Sequence, residues 1–205
     1  MKVYRKYYVK KAKGESELEK QREVIDTIND KQKALTNDWN EYWHDYSAYD
    51  TWQFWFLILL FIIPLVVLYF KLDKRRALQL GFFGFNIHVW LGYIDRFGAS
   101  QGYWEYPYQW LIILPSNVTL DASLIPVIYI LLYQWILTNK KNFYLYMILL
   151  SAGLSFIFKP LLVLHYFLTF YIKMPYIYLF IGYLVIIWLS KMITDIFLGF
   201  YKKTE

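Results

Sequence analysis

The chain has 205 residues, 58% of them hydrophobic, and a formal net charge of +6. Ordinary soluble domains are about 45–50% apolar, so this composition favours a chain that keeps long apolar runs in lipid. The chain contains no Cys, which excludes disulfides, thiolate nucleophiles and Cys-bound metal. We expect the modest positive charge to mark basic cytoplasmic loops, with the lipid bilayer and no nucleic acid as partner.

Residues 1–50 are predicted to form a polar, amphipathic, helical N-terminal tail. Its charges are segregated, because residues 1–14 carry only basic charges and residues 34–50 only acidic ones. Apolar residues recur every three or four positions, with Gln21 and Gln32 in the same register: Leu18, Ile25, Ile28, Leu35, Trp39, Tyr42 and Tyr46. This helix could lie on its own membrane domain or on the lipid surface, or it could pair in an oligomer.

Residues 51–200 are predicted to form an all-α, polytopic membrane domain with about five transmembrane helices. A spanning helix needs about 20 predominantly apolar residues. Five stretches approach this: residues 52–70, 77–94, 120–137, 143–164 and 177–198. Residues 165–176 are too few to span and are predicted to form an interfacial turn or an extension of the fourth helix.

The Lys and Arg residues predict the orientation in a plasma membrane. They are concentrated in residues 71–76, residues 138–142 and the C-terminal tail, which lie on one side if there are five spans. Basic short loops stay cytoplasmic, so we predict the N-terminus outside and the C-terminus in the cytoplasm. The basic start of the tail argues the other way, because it would suit anionic cytoplasmic lipid.

Ionisable side chains are predicted to gather near the outer face of this domain. Charged groups inside spans are costly and are therefore candidates for function. Asp95 ends the second predicted span and Asp121 begins the third, while Lys159 lies about 24 Å along the fourth, which brings it to the same face. The candidate site is Asp95, Glu105, Asp121, Lys159, His165 and His88, below a loop motif of Trp104, Tyr106 and Pro107.

The acidic candidates also have purely structural interpretations. Asp121 could cap its own helix, in competition with Thr119. Asp95 could form an exposed ion pair with Arg96, which would contribute little. Glu105, in a loop, could simply be solvated.

The basic candidates have similar alternatives. His88 and His165 could each hydrogen-bond a neighbouring carbonyl group. Lys159 could extend to the headgroups, or it should pair with Asp121 or Asp95. No catalytic motif and no metal-ligand spacing is present, so we predict neither a metal nor a cofactor.

Four stretches of the chain carry a family resemblance: TWQFWFLILLFIIPL, KLDKRR, DRFGASQGYWEYPYQWLIILP and DASLIPVIYILLYQW. They are most specific at WEYP (104–107), DASLIP (121–126) and Tyr133-Gln134. The resemblance is to a family of small uncharacterised membrane proteins from spore-forming Gram-positive bacteria. It implies five helices and no established activity. Similar proteins often carry an acid before the proline matching Pro160, where this chain has Lys159, so the resemblance does not imply a shared proton or ion chemistry. A second, smaller likeness is to membrane-bound lycopene cyclase domains, whose Pro-x-Glu-Glu motif is absent here.

Three functions follow from these patterns. The absence of catalytic motifs favours a non-enzymatic envelope or membrane-assembly protein that uses its tail helix to bind membrane-protein partners or its own copies. The alternative is a lipid- or isoprenoid-handling protein or enzyme with Asp95, Glu105 and Asp121 as acids, which requires Asp95 and Asp121 to face one cavity. A small ion or proton pathway would need polar groups that continue to the cytoplasmic face.

Overall fold

The computed structural model describes residues 2–111, 117–173 and 175–201, with side chains from residue 16 onward. The chain divides into two compact units, Met1–Asp45 and Tyr46–Glu205. Almost all regular structure in the described residues is helical, which confirms the all-α class.

The first unit belongs to one long helix, α1 (Lys2–Tyr46), of 45 residues. Its side chains from residue 16 to residue 38 are all exposed. The apolar residues of the predicted stripe are exposed by 50–61%: Leu18, Ile25, Ile28 and Leu35. The structure thus has the helix that the spacing predicts and leaves its apolar face uncovered over this stretch.

The second unit is a helical bundle. Its helices are α2 (Trp52–Lys71), α3 (Ala77–Ser100), α4 (Ile125–Thr138), α5 (Phe143–Gly153), α6 (Lys159–Leu164) and α7 (Tyr176–Tyr201). Four continuous helical stretches are long and apolar enough to cross a membrane: Trp52–Lys71, Leu120–Thr138, Phe143–Leu164 and Tyr176–Tyr201. The remaining predicted span, residues 77–94, corresponds to α3, which is 24 residues long but more polar than these four.

Helix α3 packs against α4 and α7. The core between them contains Leu80, Phe83, Ile87, Tyr129, Ile130, Tyr133, Tyr183, Ile186 and Ile187. A Cβ atom on Gly84 would lie 2.2 Å from Ile130 Cδ1, so the close approach of α3 and α4 depends on this glycine. By contrast, α2 is peripheral and buries only Leu57 and Pro64.

Two wide helical turns precede prolines in the third and fourth predicted spans. Residues Leu120–Leu124 lead into α4, which has Pro126 in its first turn, and Leu154–Phe158 lead into α6, which has Pro160. Proline lacks an N–H group and its ring clashes with the carbonyl group four residues earlier. A π-helical turn, with a hydrogen bond across five residues, accommodates the proline while the helix continues.

A two-stranded antiparallel sheet closes one end of the bundle. Strand β1 (Trp104–Glu105) pairs with β2 (Thr169–Phe170), with Trp104 opposite Phe170. Of the two alternatives predicted for residues 165–176, the extension of the fourth helix is therefore wrong, and the chain turns there. The helix ends at Leu164, and Tyr166 adopts a φ of 60°, which turns the chain back towards β1.

Candidate functional site

Asp95 is the centre of a buried polar cluster. Its Oδ1 accepts hydrogen bonds from Trp104 Nε1 at 2.9 Å and from the Tyr106 hydroxyl at 2.6 Å. Its Oδ2 accepts one from the backbone N–H of Asn117 at 3.1 Å. Three donors of this kind stabilise an ionised carboxylate.

The predicted exposed ion pair between Asp95 and Arg96 is wrong. Asp95 is only 7% exposed, whereas Arg96 lies on the exposed face of α3. The cause is the length of α3, which continues to Ser100 instead of ending at residue 94. Asp95 therefore lies inside the helix on its buried face.

Trp104 reaches Asp95 because Gly98 leaves room for its ring. A Cβ atom on Gly98 would lie 1.9 Å from Trp104 Cη2. Gly98 is one helical turn after Asp95, so the indole lies flat against that turn and directs its N–H group at the carboxylate. Together with the pairing of β1 and β2, this close approach fixes the WEYP loop on the bundle.

Lys159 joins the cluster through Tyr106. Its Nζ donates to the Tyr106 hydroxyl at 3.4 Å, and that hydroxyl donates to Asp95. Lys159 is 7% exposed, so it does not extend to the headgroups. No direct salt bridge joins Lys159 to Asp121 or Asp95 in the described part of the chain. The predicted direct pairing is therefore wrong, and the Tyr106 hydroxyl connects Lys159 to Asp95 instead.

Asp121 is the second acid of the cluster. It is 6% exposed, and its carboxyl group interacts with Asp95 and lies in the field of Lys159. Its Oδ2 is buried and has no hydrogen-bond partner among the described residues. The predicted helix-capping role is wrong, because Asn117 Oδ1 accepts from the Leu120 N–H and thereby caps this helix start.

Both Asp121 and Lys159, which line the same cavity, lie at π-helical turns. Asp121 lies within Leu120–Leu124, and Lys159 is the first residue after Leu154–Phe158. A π-helical turn contains one residue more than an α-helical turn, so it changes the direction of the side chains within it and after it. Such turns are frequent at functional sites.

A cavity of about 180 Å³ adjoins the cluster. Asp95, Asp121, Lys159 and Tyr106 line one side of it, and apolar and aromatic side chains of α3, α7 and β2 line the rest. Two lining residues, Ile94 on α3 and Tyr178 on α7, are 43% and 61% exposed. The cavity thus has its mouth between these two helices.

Two loop groups beside the cluster have altered acidity. Burial raises the pKa of the Tyr106 hydroxyl well above its usual value, and the negative charge of Asp95 raises it further. Burial also raises the pKa of Glu105, against the opposing effect of a hydrogen bond from the Tyr106 N–H. Glu105 is half-buried and lies near enough to Asp95 for that charge to raise its pKa further, but it does not line the cavity.

The remaining candidates do not line this cavity. His88 Nδ1 bonds the backbone carbonyl group of Asp121 at 2.9 Å, which is the carbonyl contact that its structural interpretation predicts. His165 is exposed just after the end of α6, and Pro107 is a half-buried loop residue outside the cavity lining. Among the described residues, no group of three His, Cys, Asp or Glu side chains is placed to hold a metal ion.

Other specific motif residues hold the opposite end of the bundle together. Gln134 accepts from the Asp73 N–H and donates to the Lys71 carbonyl group, which ties α4 to the end of α2. Tyr133 accepts a hydrogen bond from Gln79 at 2.8 Å. These two residues of the family resemblance therefore have structural contacts far along α4 from Asp121.

Sequence reasoning missed two participants in this region. Asn117 supplies both a donor to Asp95 and the cap of the following helix, and Tyr183 lines the cavity. The Asn at the start of an apolar span is a recognisable cap signal. No sequence signal distinguishes Tyr183 from the other 20 tyrosines of the chain.

Comparison of the chain with protein-family models, with curated proteins and with solved structures finds no match.

Proposed function

We propose that the protein is a five-span integral membrane protein that binds the neutral end group of a lipid or isoprenoid in the cavity beside Asp95 and Asp121. The observation that carries this proposal is Asp121 Oδ2, a buried atom without a hydrogen-bond partner in the described chain, on a residue that lines an apolar cavity. Leaving such an atom unsatisfied costs about 1–3 kcal/mol. A ligand hydroxyl or carbonyl group at Asp121 would remove that cost.

The charges of the cluster favour a neutral ligand group. Asp95 accepts hydrogen bonds from three donors, and Lys159 reaches it through Tyr106. Two adjacent buried carboxyl groups do not both ionise readily, and we place their one proton on Asp121, which has the oxygen without a partner among the described residues. A phosphate would then meet the negative charge of Asp95, and an amine would meet the ammonium group of Lys159.

The size of the cavity favours a ligand that is only partly enclosed. Its volume of about 180 Å³ is below the roughly 300–1,000 Å³ of pockets that enclose a drug-sized molecule. The mouth at Ile94 and Tyr178 lies between exposed apolar faces. An end group would enter there while its hydrocarbon chain stays in the bilayer.

The same geometry supports acid chemistry at Asp121. A protonated carboxyl group beside an apolar cavity can donate its proton to an alkene or a carbonyl oxygen. Asp95, held by its three donors, would stabilise the positive charge that develops. Glu105 has no part in this scheme, because it lies outside the cavity.

The five-span topology includes α3 because its polar side chains are satisfied inside the bundle. Gln79 bonds Tyr133, His88 bonds the Asp121 carbonyl group, and Asn86 donates to the Phe82 carbonyl group. Polar side chains in a spanning helix are tolerated when neighbouring helices satisfy them. We keep the orientation with the N-terminus outside and the C-terminus in the cytoplasm of the plasma membrane, on the strength of the basic short loops.

Photolabelling tests the ligand site. The probe is a farnesol analogue that carries a diazirine near its hydroxyl group, applied to membranes that contain the full chain. Gly182 lines the cavity and its Cβ position is open, so Gly182→Leu should fill the space without a clash at Cβ. We expect the cavity peptides of Gly182→Leu to be labelled at least tenfold less than those of the unmodified chain.

Gly199→Leu is the matched control. Gly199 is also in α7 and its Cβ position is also open, but it does not line the cavity. Labelling should stay at the level of the unmodified chain. Equal labelling of all three proteins, spread over lipid-facing helices, would overturn the proposal.

An envelope-assembly role is a second proposal, and it is compatible with the first. It is supported by the apolar stripe of α1, which is exposed from Leu18 to Leu35. Pull-down of full-length protein from cross-linked membranes, with and without residues 1–45, would test it. Loss of all partners on truncation is the result that the assembly role requires.

A further inference from the structure

We propose that α1 pairs with α1 of a second copy of this chain, side by side and antiparallel. This inference goes beyond ligand binding and does not depend on it. It rests on three features of α1: an exposed stripe, an order of residue types along that stripe that is the same from either end, and opposite charges at the two ends of the helix.

The stripe follows the spacing of a coiled-coil seam. Its positions are separated by three, four, three, four and three residues: Leu18, Gln21, Ile25, Ile28, Gln32 and Leu35. Alternating steps of three and four keep side chains on one face of the helix. The apolar members are exposed by 50–61%, so the face is open to a partner.

The order of residue types along this seam is palindromic, since it runs Leu, Gln, Ile, Ile, Gln, Leu. When a second copy is reversed, Leu18 faces Leu35, Gln21 faces Gln32, and Ile25 faces Ile28 of that copy. Every apolar residue then meets an apolar residue. Each glutamine meets a glutamine, whose amide can both donate and accept a hydrogen bond.

The charges select the antiparallel arrangement over the parallel one. A parallel pair would also match the seam, but it would place like charges together at both ends. Residues 2–13 contain six Lys or Arg and no acid, while the last turns of α1 contain Asp38, Glu41 and Asp45. Reversal of one copy brings each basic end beside an acidic end, which favours that orientation and disfavours the other.

The pairing should be weak in dilute solution and substantial in a membrane. Four apolar side chains per copy make a short seam, and short seams between isolated helices are marginal. Copies confined to one bilayer meet at a much higher effective concentration. The proposal is therefore tested on the full chain in membranes.

Cysteine cross-linking gives a direct test, because the natural chain contains no Cys. Leu18→Cys and Leu35→Cys chains, each with a different affinity tag, are co-expressed and treated with a short bifunctional maleimide. In the antiparallel pair these positions are adjacent. Two copies of the same variant would hold their thiols about 25 Å apart, because 17 residues separate the positions at 1.5 Å each.

We expect a cross-linked dimer that contains both tags, and at least tenfold less dimer when either variant is expressed alone. Glu23→Cys with Asp30→Cys is the matched control, since these positions have the same axial relation but lie on the face opposite the seam. They should cross-link at least fivefold less. Immunoblots of the membrane fraction establish equal amounts of each chain.

Two outcomes would overturn the proposal. Efficient dimers from Leu18→Cys alone and from Leu35→Cys alone would show a parallel pair. No dimer with any combination, at normal membrane levels, would show that the stripe rests on lipid or on another protein. Cross-linking tests only the pairing of α1, and photolabelling tests only the ligand site, so the failure of one proposal leaves the other unaffected.

Discussion

Helix α1 and the Asp95 cluster contain the same kinds of charged side chain in opposite surroundings. In α1, Lys33 and Asp30 form a pair at 3.3 Å while their side chains stay 67% and 74% exposed. In the bundle, Asp95 and Lys159 are each 7% exposed and connect through the Tyr106 hydroxyl. Solvent makes an exposed pair nearly irrelevant to stability, whereas a buried charge is stable only while its partners remain in place.

Removing the charge of Asp95 should give the largest effect. In Asp95→Asn the amide keeps a single acceptor oxygen, so at least one of three buried donors loses its partner and Lys159 loses its counter-charge. Breaking a buried charged pair typically costs about 3–5 kcal/mol. We expect the thermal midpoint of the purified protein in detergent to fall by roughly 10 °C.

The double variant Asp95→Asn with Lys159→Met sharpens this result. Methionine has a similar length and no charge, so the uncompensated ammonium group is removed from the interior. Part of the lost stability should return, which a double-mutant cycle measures as coupling between the two sites. Strictly additive losses would contradict the relay through Tyr106.

Gly98→Ala should give the next largest effect. The added methyl group would overlap the Trp104 ring, which must move away from Asp95. Overpacking of this kind costs about 1–3 kcal/mol, so the thermal midpoint should fall. The Trp fluorescence should change as well, because the Trp104 ring is displaced. Gly92→Ala in the same helix has open space at Cβ and should be neutral or slightly stabilising; an equal loss in both variants would contradict the role of Gly98.

Glu105 should make stability depend on pH in a defined direction. Burial raises its pKa above the usual value of 4.5 in the folded protein, so its favourable contribution is complete below that value and is lost as pH rises through the folded pKa. Glu105→Gln should therefore gain relative stability on the alkaline side, by about 1 kcal/mol or less because the group is only partly buried. The difference in thermal midpoint between the two proteins, measured across that window, should be largest at neutral pH; a constant difference at all pH values would contradict the assignment.

The sequence predicts the helices of this protein better than it predicts their contacts. Apolar run length locates the spans, because spanning helices must satisfy their own backbone and face lipid. The convergence of Asp95, Asp121 and Lys159 follows from counting residues along each predicted helix. Counting residues could not reveal the π-helical turns, which change the direction of the Asp121 and Lys159 side chains. Nor could it reveal that α3 continues to Ser100, which places Asp95 inside the helix.

Contacts that depend on the tertiary structure could not be predicted from the sequence either. The Tyr106 hydroxyl lies between Lys159 and Asp95 only because β1 pairs with β2 and because Gly98 admits Trp104. Buried hydroxyl groups in mid-span, such as the Tyr129 and Ser151 pair at 3.0 Å, look like ordinary packing residues in the sequence. Short two-residue strands give no periodicity from which to infer them.

The smallest effect should come from α1, where Lys33→Ala removes one side of an exposed pair. Surface pairs at this spacing contribute about 0.2–0.5 kcal/mol, and alanine has the higher helix propensity, so the two changes nearly cancel. The helix content of α1 and the thermal midpoint of the whole protein should both stay within error. The antiparallel cross-link should also persist, because Lys33 is not a seam position and lies outside the oppositely charged ends. A loss of cross-linking in Lys33→Ala would mean that charges in the middle of α1, and not the palindromic seam, hold the two copies together.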